Sequence, residues 1–270
     1  PLTLSELPMN LTTKYSFLAA AMLVGTGAMA QAKAPEPDYT LSYNIGVVSD
    51  YRFRGLTQAN YGGALQGGID FAHKSGFYIG TWASNVSWVK QFNGATNGDW
   101  ELDLYGGFKG EITKGLGFDV GVIGYMYPGN NSGAAGTPGA GAATDANTTE
   151  VYGALTFGPA TLKYSHATGN FLGFLNSSAS NYWDLSANFD LGSGFSLVPH
   201  VGRQSVKGQA GNVFDYTDYS VTIAKDFGNG FSANLALYGT DANQSFYVNS
   251  NGNTDFIGKS GASVGLKYSF

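Results

Sequence analysis

Residues 41–54 read LSYNIGVVSDYRFR, and along this stretch apolar side chains alternate with polar or small ones. A period of two is the pattern of a β-strand, in which successive side chains point to opposite faces. One face carries Leu41, Tyr43, Ile45, Val47, Tyr51 and Phe53. The other face carries Ser42, Asn44, Gly46, Asp50, Arg52 and Arg54. We therefore predict a strand with one apolar face and one polar face.

Eleven further segments show the same alternation. They lie at residues 64–72, 77–89, 99–109, 117–127, 149–157, 160–168, 182–190, 195–204, 215–225, 231–240 and 259–270. Most contain about nine to thirteen residues, the length that a tilted strand needs to cross a bilayer. Short turns alternate with longer polar loops, as in barrels with short periplasmic turns and long extracellular loops. The predicted fold class is all-β, a transmembrane antiparallel up-and-down β-barrel of about twelve strands.

The composition excludes several other classes of protein. With 17 Tyr, 18 Phe and 4 Trp among 270 residues, the chain carries too many aromatic rings for a disordered protein. Only 12% of the residues are charged, and the net charge of −5 leaves no basic surplus to neutralise the phosphates of a nucleic acid. Cysteine is absent, which excludes disulfides, thiolate metal sites and a cysteine nucleophile.

The placement of aromatic residues favours a membrane barrel over a secreted β-sandwich, which alternation alone would also allow. Closure of the sheet would gather ten phenylalanines beside the short turns and the C-terminus into a girdle at one membrane interface. They are Phe71, Phe77, Phe108, Phe118, Phe157, Phe189, Phe195, Phe227, Phe231 and Phe270. A second girdle is expected from Trp88, Trp100, Tyr51 and Phe53. Glycines are predicted at five outward positions: Gly67, Gly80, Gly106, Gly124 and Gly153.

The N-terminal residues have the features of an export signal. Residues 9–30 combine Lys14, an apolar segment and the small-residue cleavage pattern Ala28-Met29-Ala30. We expect residues 1–8 to lie upstream of the biological start, residues 9–30 to form a signal peptide, residues 31–38 to form a periplasmic segment and residues 39–270 to form the barrel. The expected location is the outer membrane of a Gram-negative bacterium.

If the apolar side chains face lipid, a set of charged residues faces the lumen. The pore-lining candidates are Asp50, Arg52, Arg54, Asp70, Glu101, Asp103, Asp119, Glu150, Lys163, Asp184, His200 and Asp218. Such charge requires water inside, although twelve strands enclose only a narrow lumen. Asp50, Arg52 and Arg54 could order a permeating anion by bidentate hydrogen bonds. Alternatively, ion pairs with neighbouring acids such as Asp70 brace the barrel without contacting solute.

No motif points to catalysis or to a cofactor. His200, Asp184 and Ser205 can be drawn as a catalytic triad, but their spacing does not require one, and a histidine in the barrel wall is the favoured interpretation. The acidic row within residues 99–103 supplies too few oxygens to cage calcium, so a hydrated wall is favoured there. We predict no catalytic residue, no cofactor site and no metal site.

The final segment carries the most specific local motif. Leu266, Tyr268 and Phe270 alternate with polar or small residues, which resembles the C-terminal signature that bacterial outer-membrane proteins present to the barrel-assembly machinery. Three earlier stretches resemble the TorF family of proteobacterial porins. They are residues 48–58 (VSDYRFRGLTQ), 65–71 (LQGGIDF) and 75–86 (SGFYIGTWASNV). The resemblance implies an outer-membrane barrel with channel function, no assigned substrate and no catalytic residues.

Two functions fit the sequence. The first is a porin-like channel for passive diffusion of small hydrophilic solutes through a narrow polar lumen. The second is a non-conducting structural or adhesive barrel that binds partners through its extracellular loops, the longest of which spans residues 128–147. A hydrolase that uses His200 is a third hypothesis, without a motif. The expected partners are outer-membrane lipid and lipopolysaccharide, the barrel-assembly machinery, periplasmic chaperones and small hydrophilic solutes.

Overall fold

The computed structural model describes residues 37–249 and 255–270, and nearly all of its regular structure is β. The predicted signal peptide lies outside the described residues. The strands are β1 (Tyr39–Val48), β2 (Arg52–Phe53), β3 (Leu56–Thr57), β4 (Ala64–His73), β5 (Phe77–Asn85), β6 (Trp100–Thr113), β7 (Leu116–Met126), β8 (Thr148–Phe157), β9 (Ala160–Ala167), β10 (Asn181–Ala187), β11 (Phe189–Gly192), β12 (Phe195–Ser205), β13 (Tyr216–Gly228), β14 (Phe231–Thr240) and β15 (Gly261–Ser269). Two short helical segments lie in loops, α1 (Trp88–Gln91) and a 3-10 turn (Ala210–Asn212). Within the described ranges, no helix is long and apolar enough to cross a membrane.

The strands form a closed antiparallel barrel, which confirms the predicted twelve-stranded fold. The order round the barrel is β1, β4, β5, β6, β7, β8, β9, β10, β12, β13, β14, β15 and back to β1. β11 follows β10 after a break at Asn188 and also pairs with β12, so β10 and β11 together count as one wall strand. Pairing of β1 with β15 closes the wall, with Asn44 opposite Ser269 and Val48 opposite Gly265.

The outer face of the barrel is apolar and the inner face is polar. On β1, Leu41, Ile45 and Val47 are half exposed on the outside, whereas Ser42 is buried on the inside. Other strands repeat this alternation, and their buried polar residues include Ser84, Glu101, Thr156, Thr161, Ser165 and Asp218. An apolar belt of this kind is stable when lipid covers it.

The turns at one end of the barrel, the turn end, are short, and the loops at the other end, the loop end, are long. The predicted phenylalanine girdle lies at the turn end, where several rings are in contact. The ring centroids of Phe77 and Phe108 are 4.9 Å apart, and those of Phe108 and Phe118 are 5.8 Å apart. Phe270 stacks on Tyr43 with its centroid at 5.7 Å.

The prediction of the second girdle is wrong for three of its four residues. Trp100 is exposed on the outer face, but Trp88 is buried, and Tyr51 and Phe53 pack with it in a cluster inside the mouth. The reason is that the chain leaves the wall earlier than its alternation indicates. β5 ends at Asn85, so Trp88 begins α1.

The first predicted strand also ends early, at Val48. The chain then turns inward and forms the hairpin β2–β3, in which Arg54 and Gly55 have φ angles of +47° and +79°. Two residues with positive φ are typical of the type I′ turn that suits a tight hairpin. Asp50, Arg52 and Arg54 therefore do not form the predicted stripe along a wall strand.

Adjacent residues on β13 test which face of the wall meets lipid. Ile223 is 46% exposed on the outer face, whereas Thr222 points to the lumen side. We expect Ile223→Arg to lower the free energy of unfolding in phospholipid bilayers by about 2–4 kcal/mol, since a charge then faces hydrocarbon. Thr222→Arg should lower the free energy of unfolding by clearly less, since its charge faces the lumen. Reversible denaturant unfolding in liposomes measures both values, and equal costs would contradict the assignment of faces.

Candidate functional site

The hairpin at residues 49–58, here called the lumen hairpin, is held by a buried carboxylate. Asp50 accepts hydrogen bonds from Arg52 Nε at 2.6 Å and from Thr57 Oγ1 at 2.7 Å. Its backbone oxygen accepts a hydrogen bond from Ser263 Oγ at 2.9 Å. Arg52 also donates from Nη1 to the backbone oxygen of Gly55 at 3.0 Å. The first strand of the hairpin is thereby tied to β15, and the Asp50 carboxylate links the two strands of the hairpin.

Arg54, at the tip, extends from this hairpin to the far side of the lumen. Its Nη2 pairs with Glu150 Oε2 on β8 at 2.7 Å, and its Nη1 donates to Gln204 Oε1 on β12 at 2.8 Å. β8 is reached from β1 through β4, β5, β6 and β7, and β12 is reached through β15, β14 and β13. The two side chains of the ion pair are 7% and 1% exposed. The Arg54 side chain therefore crosses the lumen and is almost fully buried.

The hairpin tip also contacts β13, and the contact is so close that only glycine fits at position 55. A Cβ on Gly55 would lie 2.7 Å from the Cβ of Asp218. Asp218 accepts a hydrogen bond from Tyr182 at 2.9 Å and contacts His200 Nε2 at 2.9 Å. The hairpin tip is thus packed against the polar cluster that includes His200.

The surroundings of His200 do not form the catalytic triad considered above. His200 Nδ1 lies 3.0 Å from Asp184, and Nε2 lies 2.9 Å from Asp218, so carboxylates occupy both ring nitrogens. Ser205 Oγ instead donates to Asp215 at 3.1 Å. His200 has no nitrogen left to accept a proton from a serine, and the arrangement is that of an ion-paired wall residue.

Two further acids, Glu101 and Asp103, lie on β6 next to the lumen hairpin. Glu101 accepts a hydrogen bond from the Tyr51 hydroxyl at 3.3 Å. Asp103 Oδ1 is buried and has no hydrogen-bond partner among the described residues. Burial first, and then the charges of Glu101 and Asp103, raise the pKa of Tyr51 well above its usual range, so Tyr51 remains a neutral donor.

The other pore-lining candidates face the lumen towards the turn end, where tyrosines bind them. Asp70 accepts a hydrogen bond from Tyr105 at 2.5 Å, and the arginines form their ion pairs with Asp50 and Glu150 instead of the predicted Asp70. Asp119 accepts one from Tyr78 at 2.6 Å. Lys163 places its Nζ 4.0 Å from the ring centroid of Tyr152. This half of the lumen has mixed charge and no uniform sign.

These tyrosines lie flat on the wall because glycines make room for them. A Cβ on Gly80 would meet the Tyr105 ring at 2.5 Å, and a Cβ on Gly202 would meet the Tyr182 hydroxyl at 1.9 Å. Gly107 and Gly121 are related in the same way to Tyr78 and Tyr152. Gly80 therefore faces the lumen, contrary to the prediction that it faces outward.

A cluster of rings at the loop end, the aromatic cap, was not predicted. It consists of Phe92, Phe174, Phe214 and Tyr247, with centroid separations of 4.7 Å for Phe174–Phe214 and 5.9 Å for Phe92–Tyr247. A cavity of about 30 Å³ separates the cap from the lumen hairpin. The sequence signal was present, since each of the loops that supply these rings contains several large apolar side chains.

The long loop 128–147 packs beside the cap. Gly139 donates its backbone N–H to Gly94 at 3.1 Å, and the side chains of Asn131 and Thr96 are hydrogen-bonded at 2.8 Å. The loop end is thus covered in two layers, the packed loops outside and the lumen hairpin inside. Among the described residues, no cluster of three or more histidine or carboxylate side chains could hold a metal ion.

The buried ion pair gives a test of how firmly the lumen hairpin is held. We expect Glu150→Gln to lower the free energy of unfolding by about 3–5 kcal/mol, because the Arg54 charge stays buried without a counter-charge. Arg54→Met combined with Glu150→Gln should recover most of that loss. The exposed pair Lys74–Asp38 is the control, and Lys74→Ala should cost less than about 1 kcal/mol. The coupling would be contradicted if the loss of unfolding free energy in the double variant equalled the sum of the losses in Arg54→Met and Glu150→Gln alone.

The comparisons with known proteins agree with the barrel. The KdgM porin, solved in complex with disordered oligogalacturonate, has a TM-score of 0.52 and 7% identity, over 85% of this chain and 98% of that one. The NanC porin has a TM-score of 0.51 and 9% identity, over 86% of this chain and 99% of that one. Likeness at such low identity shows a shared fold.

The sequence itself matches a family model over most of its length. No curated protein matches the chain. The family model described as "Bacterial protein of unknown function (Gcw_chp)" matches residues 31–270, which include every described strand. The chain therefore belongs to the Gcw_chp family.

Proposed function

We propose that the protein is a porin-like channel for passive diffusion of small hydrophilic solutes. The observation that carries the proposal is a closed barrel with an apolar outer face and a lumen wall lined by buried charged and hydroxyl side chains. An inert barrel of this size would be more stable with an apolar filling, since buried charges are costly unless they are paired or hydrated. The shared fold with two porins and the resemblance to the TorF porins support the same function.

The proposed location is the outer membrane of a Gram-negative bacterium, with the loop end outside. The apolar belt would contact lipid and lipopolysaccharide, and the phenylalanine girdle would mark the periplasmic interface. Leu266, Tyr268 and Phe270 all face outward on and just after β15 and would serve as the assembly signal. Export by residues 9–30, with help from periplasmic chaperones and the barrel-assembly machinery, completes this proposal.

The proposed pore lining consists of the charged residues that face the lumen towards the turn end. Asp70, Asp119 and Lys163 are held by tyrosines and would be met by a solute entering from that end. Arg52 and Arg54 do not act as an anion filter in this arrangement, because acids and backbone oxygens already accept their hydrogen bonds. Their role in the channel is to close it. The proposal assigns no catalytic step to any residue.

A second candidate function follows from the closed mouth. The lumen hairpin and the aromatic cap both obstruct the loop end, as expected of a structural or adhesive barrel that binds a partner through its loops. In that case, deletion of residues 133–142 from the long loop would abolish surface binding without any change in membrane permeability.

Single-channel recording separates the two candidates. We expect the refolded protein to show rare discrete openings in a planar bilayer. Arg54→Ala should raise the open probability at least about tenfold, because each ~1.4 kcal/mol removed from the closed state shifts a two-state equilibrium tenfold. Arg203→Ala is the matched control, since Arg203 is an exposed arginine whose side chain bonds only the nearby Thr217, at 3.2 Å, among the described residues.

The recording discriminates between the two candidate functions only if the barrel has folded. Folding is checked by the slower gel migration of the unheated barrel compared with the heated one. A folded Arg54→Ala barrel that never conducts would contradict the channel proposal and favour the adhesive one. Equal open probability in the Arg54→Ala and Arg203→Ala variants would contradict the closing role of Arg54.

A further inference from the structure

The groups that surround the Arg54 guanidinium form a distinct pocket on the lumen wall, here called the guanidinium cage. It consists of Glu150 on β8, Gln204 on β12, Tyr182 on β10 and Phe171 in the loop between β9 and β10. These four residues are 1%, 0%, 5% and 4% exposed. A carboxylate, an amide oxygen and two aromatic faces are the groups that recognise a planar cation.

The cage is oriented by bonds that do not involve the lumen hairpin. Gln204 Nε2 donates to the backbone oxygens of Asn181 at 3.1 Å and Ser205 at 3.2 Å, so its Oε1 points to the cation. Tyr182 is fixed by its hydrogen bond to Asp218 at 2.9 Å. Tyr125 donates to Glu150 Oε2 at 3.4 Å. The wall strands therefore hold the acceptors in place whether or not Arg54 is present.

Arg54 leaves one hydrogen-bond acceptor of the cage unused among the described residues. Glu150 Oε1 is buried and has no hydrogen-bond partner within the described part of the chain, while Oε2 takes the ion pair. A carboxylate can bind a guanidinium through both oxygens at once. The backbone of Arg54, with its φ of +47°, restricts how its side chain enters, whereas a free ligand has no such tether. An untethered guanidinium can therefore engage the oxygen that Arg54 leaves unpaired.

We propose that the guanidinium cage is a binding site for small guanidinium cations, and that Arg54 is its tethered occupant. A solute that carries a guanidinium group displaces Arg54, takes up the buried charge of Glu150 and frees the lumen hairpin from the far wall. The opening consequence rests on the proposed channel function, but binding in the cage does not. The expected class of solute is inferred from the residues of the cage, and the mixed charges nearer the turn end do not enter that inference.

The test is ligand binding to the refolded barrel in detergent micelles, with N-propylguanidinium as the probe in titration calorimetry. Arg54→Gly empties the cage and suits the positive φ of the turn. We expect this variant to bind the probe at least about tenfold more tightly than the native chain, in which the tethered side chain competes at high effective concentration. Arg203→Ala should bind like the native chain. Adding Glu150→Gln to Arg54→Gly should abolish binding.

Propylammonium, which has the same charge but no planar fork, is the control ligand. Equal binding of the two ligands, or equal binding with and without Glu150→Gln, would overturn the proposal. If Arg54→Gly does not fold alone, refolding in propylguanidinium should restore the barrel, since a ligand that binds the native state stabilises it. Failure of that rescue would also overturn the site.

Conductance separates the site from the channel function. Binding by a barrel that never conducts would support the cage and overturn the channel. Conduction without binding of the guanidinium would overturn the cage alone. Increased open probability of the native chain in millimolar propylguanidinium, absent with propylammonium, would support both.

Discussion

The pairing of β1 with β15 is the constraint on which the rest of the structure depends. Backbone N–H and C=O groups that face hydrocarbon have no water to bond, so each wall strand needs a partner on both sides. The pairs from Asn44–Ser269 to Val48–Gly265 supply the last of these partners. Closure then forces every alternate side chain inward, into a space where polar groups must find partners from neighbouring strands.

The interior meets that demand with tyrosines, glycines and one inserted hairpin. Tyrosine hydroxyls reach acids one or more strands away, and lumen-facing glycines leave the surface on which those rings lie. Nearer the loops, the lumen hairpin pairs Arg52 with its own Asp50 and brings Arg54 to Glu150 on the wall. The same insertion that satisfies these charges also narrows the passage, so stability and closure have a common origin.

The sequence predicted the wall well and the contents of the lumen poorly, for physical reasons. Alternation with period two determines which face of a strand is apolar, and this held along the wall. It does not distinguish a wall strand from a short inward hairpin, which has the same period, so Tyr51 and Phe53 were assigned to the outside. The positive-φ turn at Arg54-Gly55 is marked in the sequence only by one glycine.

Partners across the lumen could not be predicted. Glu150 lies 96 residues from Arg54 and Gln204 lies 150 residues away, so their meeting depends on the height of every intervening strand. The expected brace with Asp70 is not formed because Asp70 faces the lumen nearer the turn end, away from the lumen hairpin. The aromatic cap was missed because composition classed the loops as polar although each contains large rings.

The long sequence separation between the lumen hairpin and its contacts also fixes an order of events in folding. The hairpin follows β1, whereas its contacts lie on β8, β10, β12 and β13. Contacts of such separation form only after the intervening chain has been arranged. These contacts therefore cannot be complete before β13 is in place, so the hairpin reaches its final position late in the formation of the wall.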